Sequence, residues 1–371
     1  MTSEERREGR YHRRVAKRAA KKAMMSSEWD DYAKVFTYGH LYASYKKCRR
    51  GVGWKASAQK YAANAALNVF DTYSRLKQRE FCPGDFYEFD ILERGKPRHI
   101  RSVTLRERVV QRCLCDYSMV PILSRSFIYD NGACLKGKGY SFSQQRCIKH
   151  LHDHYRQYGT DGYVLTFDFR HFFDNVSHEE LRRKLNAAYS DQELLSLATR
   201  FIDKFGDVGL GLGSQVSQVL ALASADRLDH FIKETLRIHG YGRYMDDGYL
   251  IHPDKEYLRH CLAQIRMKCD ELGIILNEKK THIVPLRKGF TFLKIRLLLV
   301  DGGKIIRIPC KANTTRMRRK LKKFLPKVER GEMATDDVHQ SFQSWRSHIL
   351  GLNAYRAINN TELLYKQLYS H

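Results

Sequence analysis

Three aspartates stand where carboxylates could do chemistry. Asp168 lies in the apolar run YVLTFDF (163 to 169), and Asp246-Asp247 form the polar centre of GYGRYMDDGYLIH (240 to 252). The first run reads as a short buried strand and the second as a hairpin with the acid pair at its tip. Two separate segments would then each deliver carboxylates to one point. Hard divalent ions such as Mg²⁺ take oxygen ligands of this kind. Two such ions, roughly 4 Å apart, can activate a hydroxyl and stabilise a pyrophosphate leaving group. Neither segment is specific alone, because an Asp pair also suits a type I′ turn and a strand-end Asp also caps helices.

The elements that must position these acids follow from periodicity. Residues 1 to 25 carry nine Arg or Lys and three Glu, a basic helical or partly disordered arm. Helical spacing runs from Trp29 to about Arg79, with Phe36, Tyr38, Tyr42 and Tyr45 between basic clusters. FYEFDILERGKPRHI (86 to 100) alternates on both sides of Arg94-Gly95-Lys96 and predicts a basic hairpin. Helices are expected over 105 to 125, 178 to 206, 215 to 239 and 255 to 272, and strands near 274 to 285 and 289 to 299. Beyond Pro309 the composition shifts, with nine Lys or Arg against one Glu over 311 to 330. Met317, Leu321, Phe324 and Val328 recur there at helical spacing, and Pro326 is expected to kink or end that helix.

Composition narrows the partners. At 371 residues and 43% hydrophobic content the chain has room for two or three packed subdomains. Sixty-six Lys and Arg against 41 Asp and Glu leave a net charge of +25, which points to a polyanion; ribosomal and chromatin-type binders share that feature. The nine cysteines form no CxxC pair and read as reduced thiols. The sixteen histidines show no HExxH ligand set. No apolar run approaches the roughly 18 residues of a membrane span, and the start lacks a secretory core. A cytoplasmic location without a membrane partner is therefore expected.

Tyr244-Met245-Asp246-Asp247 resembles the YxDD box of reverse transcriptases in its Met form. FDFRHFFDNVSHEEL (167 to 181) resembles the first palm motif of the same family. The resemblance implies that Asp168, Asp246 and Asp247 hold two Mg²⁺ ions, with Mn²⁺ as a substitute, and that the Phe169 backbone carbonyl reaches one of them. It also implies that Phe173 lies under the sugar of the incoming nucleotide and excludes a 2′-hydroxyl; the alternative is a core aromatic. GLGLGSQVSQVLALASADRLDHF (209 to 231) resembles the second palm motif, a Gly-rich loop entering a helix. Its glycines let backbone approach the nascent base pair closely.

Most of the family reads QGxxxSP in that loop, whereas this chain reads Leu212-Gly213-Ser214-Gln215-Val216-Ser217-Gln218. That resembles the LGxxxSQ form of reverse transcriptases from diversity-generating retroelements, which copy a template RNA with frequent errors opposite adenine. An apolar side chain in place of an amide removes hydrogen bonds that would select the substrate, so lower fidelity is expected. The alternative is a packing variant in another bacterial lineage, such as a phage-defence or retron-like enzyme.

Lys96 and Arg98 resemble the finger cations that grip a triphosphate, although either also suits generic backbone binding. Lys280 before Thr281 resembles the fourth palm motif, whose Lys protonates or neutralises the pyrophosphate; neighbouring Lys279 leaves the register open by one. GFTFLKIRL (289 to 297) resembles the primer grip with Phe292-Leu293-Lys294 lacking the usual glycine, and SFQSWRSHILGLNAYR (341 to 356) resembles the end of a bacterial thumb.

The resemblance implies an α+β right-hand polymerase fold with fingers, palm and a small helical thumb. The expected divisions are a basic helical extension over 1–80, fingers over 81–160, palm over 161–308 with a helical insertion at about 178–206, and thumb over 309–371. The implied partners are template RNA and the RNA/cDNA duplex, dNTPs, and a small basic helical accessory variability protein that oligomerises. The sequence itself shows no accessory-binding site; the basic amino-terminal arm and residues 311 to 330 are the candidates for RNA or partner contact. The rivals are a non-catalytic RNA-binding scaffold on a polymerase fold and an RNA-dependent RNA polymerase.

Overall fold

The computed structural model describes residues 3–93 and 95–369, with only the backbone of a few of them, Lys96 included. Contacts divide the chain into two compact units. The first comprises Met1–Gly137, Phe169–Phe231 and Arg266–Ile275; the second comprises Lys138–Asp168, Ile232–Ile265 and Leu276–His371.

Among its described residues the first unit is mainly helical and holds one two-stranded ribbon. The basic arm is a helix, Ser3–Trp29. Strands β1 (Tyr87–Glu93) and β2 (Lys96–Ser102) pair antiparallel, with Phe89 opposite Ile100 and Ile91 opposite Arg98. The helix expected over 105 to 125 begins at Leu105, capped by Thr104, and passes through a π-helical turn at Cys115–Met119. The helix expected over 178 to 206 is two helices, His178–Ala188 and Gln192–Asp203. Local capping explains the break. Ser177 accepts from the amide of Glu180 in an S-x-x-E box, and Asp191 accepts from the amides of Glu193 and Leu194, so a second start is written three residues after the first helix ends.

The second unit is built on a four-stranded antiparallel sheet. Its strands are β3 (Tyr163–Asp168), β4 (Gly240–Tyr244), β5 (Asp247–His252) and β6 (His282–Pro285), in the order β4-β5-β3-β6. Central β3 buries Val164, Leu165 and Phe167, which is why it reads as a nearly continuous apolar run. The strand expected over 274 to 285 shortens to β6, because Glu278–Lys280 form a 3₁₀ turn. A second sheet holds β7 (Phe290–Phe292), β8 (Ile295–Leu299) and β9 (Ile305–Pro309). Sequence periodicity missed β9. Leu293 and Lys294 make the β7–β8 turn with φ of +48° and +64°, a left-handed pair formed without the glycine such turns favour. Tyr249, Phe290 and Phe292 join one core, in which the Tyr249 and Phe292 rings meet edge-on at 4.8 Å.

Three helices, Lys311–Glu329, Thr335–Ile349 and Tyr355–Tyr369, close a separate core around Leu321, Val338, Phe342, Trp345 and Ile349. The expectation that Pro326 ends the first of them is corrected, since the helix runs through it to Glu329. Proline there sacrifices one backbone bond near the helix end, while Leu321, Phe324 and Val328 are held in the core on both sides of it. No helix among the described residues is long and apolar enough to cross a membrane.

Gly248 pairs with Phe167 across β3 and β5, and a Cβ at Gly248 would overlap the Phe167 ring. Phe167 is itself buried. Gly248→Ala is expected to cost about 1–3 kcal/mol by overpacking, read as a lowered midpoint in urea unfolding.

Candidate active site

Sheet register brings the acids together. In the β3–β5 ladder Asp168 pairs with Asp247, and in the β4–β5 hairpin Tyr244 pairs with Asp247, so Met245 and Asp246 form the turn. Met245 is left-handed at φ +54°, a conformation costing a non-glycine residue of order 1–3 kcal/mol unless its surroundings hold it. Arg243 supplies part of that hold. Its side chain is fully buried, and Nη1 donates to the Met245 carbonyl at 2.7 Å.

Asp168 is 4% exposed, and its oxygens are engaged from the segment before β6. Asn277 Nδ2 donates to Oδ1 at 3.0 Å, Lys280 Nζ donates to Oδ2 at 2.5 Å, and the Asn277 amide donates to the Asp168 carbonyl at 2.8 Å. The 3₁₀ turn and a bond from Thr281 Oγ1 to the Asn277 carbonyl (2.9 Å) fix this segment locally. Lys280, and not Lys279, therefore carries the ammonium to Asp168.

Charge in the cluster is unbalanced. Burial first, then Asp246 and Asp168, push the Asp247 carboxyl from 3.8 to about 7, against the opposing pull of Lys280. For Lys280 burial acts downward, but Asp168, Asp247 and Asp246 more than offset it and leave the ammonium above its ordinary value. Three crowded carboxylates with one partly exposed cation form a donor set that fits a divalent ion. Among the described residues no three His, Cys, Asp or Glu side chains already form a cage. Magnesium usually takes one or two carboxylates and completes its shell with water and substrate phosphates.

The remaining candidates lie in the first unit, apart from this cluster in the division of the chain. The buried Phe169 ring packs against Phe172 at 5.1 Å, and the Phe173 ring meets Phe172 edge-on at 5.9 Å. The Phe173 carbonyl accepts from the Leu210 amide at 2.6 Å. Leu212 is half-buried, and its carbonyl accepts from the Arg101 amide of β2 at 3.0 Å. Gly213 has φ +116°, and a Cβ there would lie 2.8 Å from the Arg101 carbonyl, so glycine is required. Ser214 Oγ donates to Gln111 Oε1 at 2.9 Å, and exposed Gln218 accepts from Cys134 Sγ at 3.7 Å. Leu212 also lines a cavity of about 240 Å³ with His99, Arg101, Asp174 and Phe205. Arg98 is exposed on β2, and the Lys96 side chain lies outside the described residues.

An antiparallel sheet with Asp168 paired to Asp247 beside an acid-bearing hairpin turn is the architecture of a polymerase palm. The sequence model of the family "reverse transcriptase (RNA-dependent DNA polymerase)" matches residues 94–297, and the chain belongs to this family of nucleotidyltransferases. None of the curated proteins matches it. Among solved structures it is similar to telomerase from Candida albicans in complex with the TWJ fragment of telomeric RNA. That likeness has a TM-score of 0.50 at 14% identity and covers 80% of this chain and 62% of that one. Apo telomerase from Candida tropicalis gives a TM-score of 0.48 at 12% identity, covering 82% of this chain and 64% of that one. At such identity the likeness concerns the fold, and the chain spans less than two thirds of each telomerase chain.

Asn277, Arg243 and the buried His178 were not singled out from sequence. Each is one polar residue whose role is defined by a partner distant in the chain or by a turn conformation. Only the Asp168-to-Lys280 pairing had a local signal, the Lys-Thr pair.

Folded Asp247 keeps its proton to about pH 7, whereas the unfolded chain releases it near the ordinary 3.8. In that window unfolding releases a proton, so the metal-free fold loses stability as pH rises. Asp247→Asn is expected to flatten this slope in chelator and to raise the melting temperature at pH 8, measured by thermal unfolding at pH 5 and pH 8.

Proposed function

We propose that the chain copies an RNA template into DNA for a diversity-generating retroelement and makes that cDNA inaccurately. The polymerase part of the reading is carried by the register pairing of Asp168 with Asp247 at the end of the sheet, next to Asp246. Asp168, Asp246 and Asp247 would hold two Mg²⁺ ions, which when bound supply Lewis-acid activation of the primer 3′-hydroxyl and neutralise the leaving pyrophosphate. Lys280 would add an ammonium, charged at neutral pH, that neutralises or protonates that leaving group. Asn277 and Lys280 hold Asp168 in one orientation. The Phe169 carbonyl is a further candidate ligand.

In the first unit Phe173 would select deoxyribose, and Leu212, Gly213 and Gln218 would face the nascent base pair, with Lys96 and Arg98 on the triphosphate. The fidelity reading is supported by how Leu212 is held. Its backbone is bonded to β2, so the loop stays in place whatever its side chain, and the side chain itself offers no hydrogen bond. Functionally, we assign residues 81–160 to fingers, 161–308 to palm and 309–371 to thumb. The working partners are a template RNA, dNTPs and a small basic helical accessory protein, in the cytoplasm.

Primer extension on an RNA template with the accessory factor tests the catalytic claim. An Asp246→Asn, Asp247→Asn double variant should lose activity by several orders of magnitude; full activity would sink the claim. Sequencing the cDNA of Leu212→Gln protein tests fidelity, with errors opposite adenine expected to fall. Unchanged errors would remove Leu212 from the account.

A further inference from the structure

Two loops of the first unit are tied to each other with unusual density. One is the turn through Phe173–Asn175, entered at left-handed His171 (φ +48°), and the other is the glycine-rich stretch from Val208 to Gly213. The Gly209 amide donates to the Val176 carbonyl at 2.9 Å, and the Leu210 amide donates to the Phe173 carbonyl at 2.6 Å. Ser177 and Val208 form a bridge. Gly209 has φ +84°, and a Cβ there would lie 2.6 Å from the Asp174 carbonyl, so the two chains approach this closely only through glycine.

His178 completes the set. It is 3% exposed, and its Nε2 lies 2.6 Å from the Gly209 carbonyl. A carbonyl only accepts, so Nε2 carries the hydrogen and donates it. Nδ1 has no hydrogen-bond partner among the described residues. The backbone of His178 is the first residue of a capped helix, which fixes where the ring starts. Three residues beyond Gly209, the Leu212 carbonyl is bound by Arg101.

We propose that His178 is a positioning residue for nucleotide selection. By holding the Gly209 carbonyl it clasps the Phe173 turn and the Leu212 loop into one rigid body, and so sets sugar discrimination and base fidelity together without touching the nucleotide. The proposal rests on the roles given to Phe173 and Leu212 under the proposed function. It predicts that both kinds of selectivity weaken when this one hydrogen bond is lost.

Three variants separate the bond from the bulk. His178→Phe keeps a ring and removes the donor, His178→Asn has an amide too short to reach, and His178→Gln places an amide near the original Nε2. Hydrogen exchange over residues 208–212 reads the clasp directly. Loss of one buried hydrogen bond should speed exchange at Gly209 and Leu210 by about ten-fold in the Phe and Asn variants, with Gln near wild type. Ribonucleotide use relative to dNTP should rise by about ten-fold in the same two variants, while kcat for the matched dNTP changes less than roughly three-fold.

Unchanged exchange in both the Phe and the Asn variant overturns the clasp. Faster exchange with unchanged ribonucleotide use and unchanged errors overturns the selective role, as does a Gln variant no better than Asn. Should His178→Phe fail to fold, the Asn and Gln pair carries the comparison. Phe173→Ala run in parallel isolates the underlying reading: if it gains no ribonucleotide use, the sugar role of Phe173 fails. The clasp is then decided by exchange and by the error spectrum.

Discussion

Like charges must be held together at this site, and the β3–β5 ladder is what holds them. Asp168 and Asp247 occupy paired positions, and Asp246 is adjacent in the turn, so three carboxylates share one small, partly buried volume. Burial, and after it the repulsion of Asp246 and Asp168, raises the proton affinity of Asp247. The ladder, the buried Arg243 beneath the turn and the Asn277–Lys280 segment on Asp168 together resist that repulsion. A one-residue slip of β5 would turn Asp247 to the other face and break the pairing. The packing of Phe167 against Gly248 helps forbid that slip, because only glycine fits opposite the ring in this register.

The first unit solves a different problem with backbone. Its loops at 173–176 and 208–213 are held by carbonyls and amides, with glycine where chains come too close for a Cβ. Backbone ties leave side chains free to vary. At position 212 the loop is tied to β2 through its backbone carbonyl, not through its side chain.

Much of this was legible in the residues. The acid-bearing strand and hairpin showed themselves because apolar periodicity surrounds a short polar break. The β1–β2 ribbon and the helix from Lys311 likewise follow pattern. What stayed hidden depends on distant partners or on packing. Asn277 matters through Asp168, 109 positions away, and His178 through Gly209, 31 positions away. The π-helical turn at Cys115–Met119 has no periodic signature, and β9 becomes visible only as the third strand beside β8. Of the two outcomes expected at Pro326, a kink or an end, the end did not occur, because the apolar core around Leu321 and Val328 holds the helix on both sides of it.

The order of strands also bears on how the chain is made. β3 is flanked in the finished sheet by β5 and β6, and both follow it in sequence. During synthesis Tyr163–Asp168 therefore emerges with neither neighbour available, and it stays unpaired until most of a hundred further residues, then more, have left the ribosome. Its Val164, Leu165 and Phe167 are the sticky part of a nascent strand with two open edges. The buried aspartate of the acidic cluster is thus carried by a strand that cannot pair until much later parts of the chain have been made.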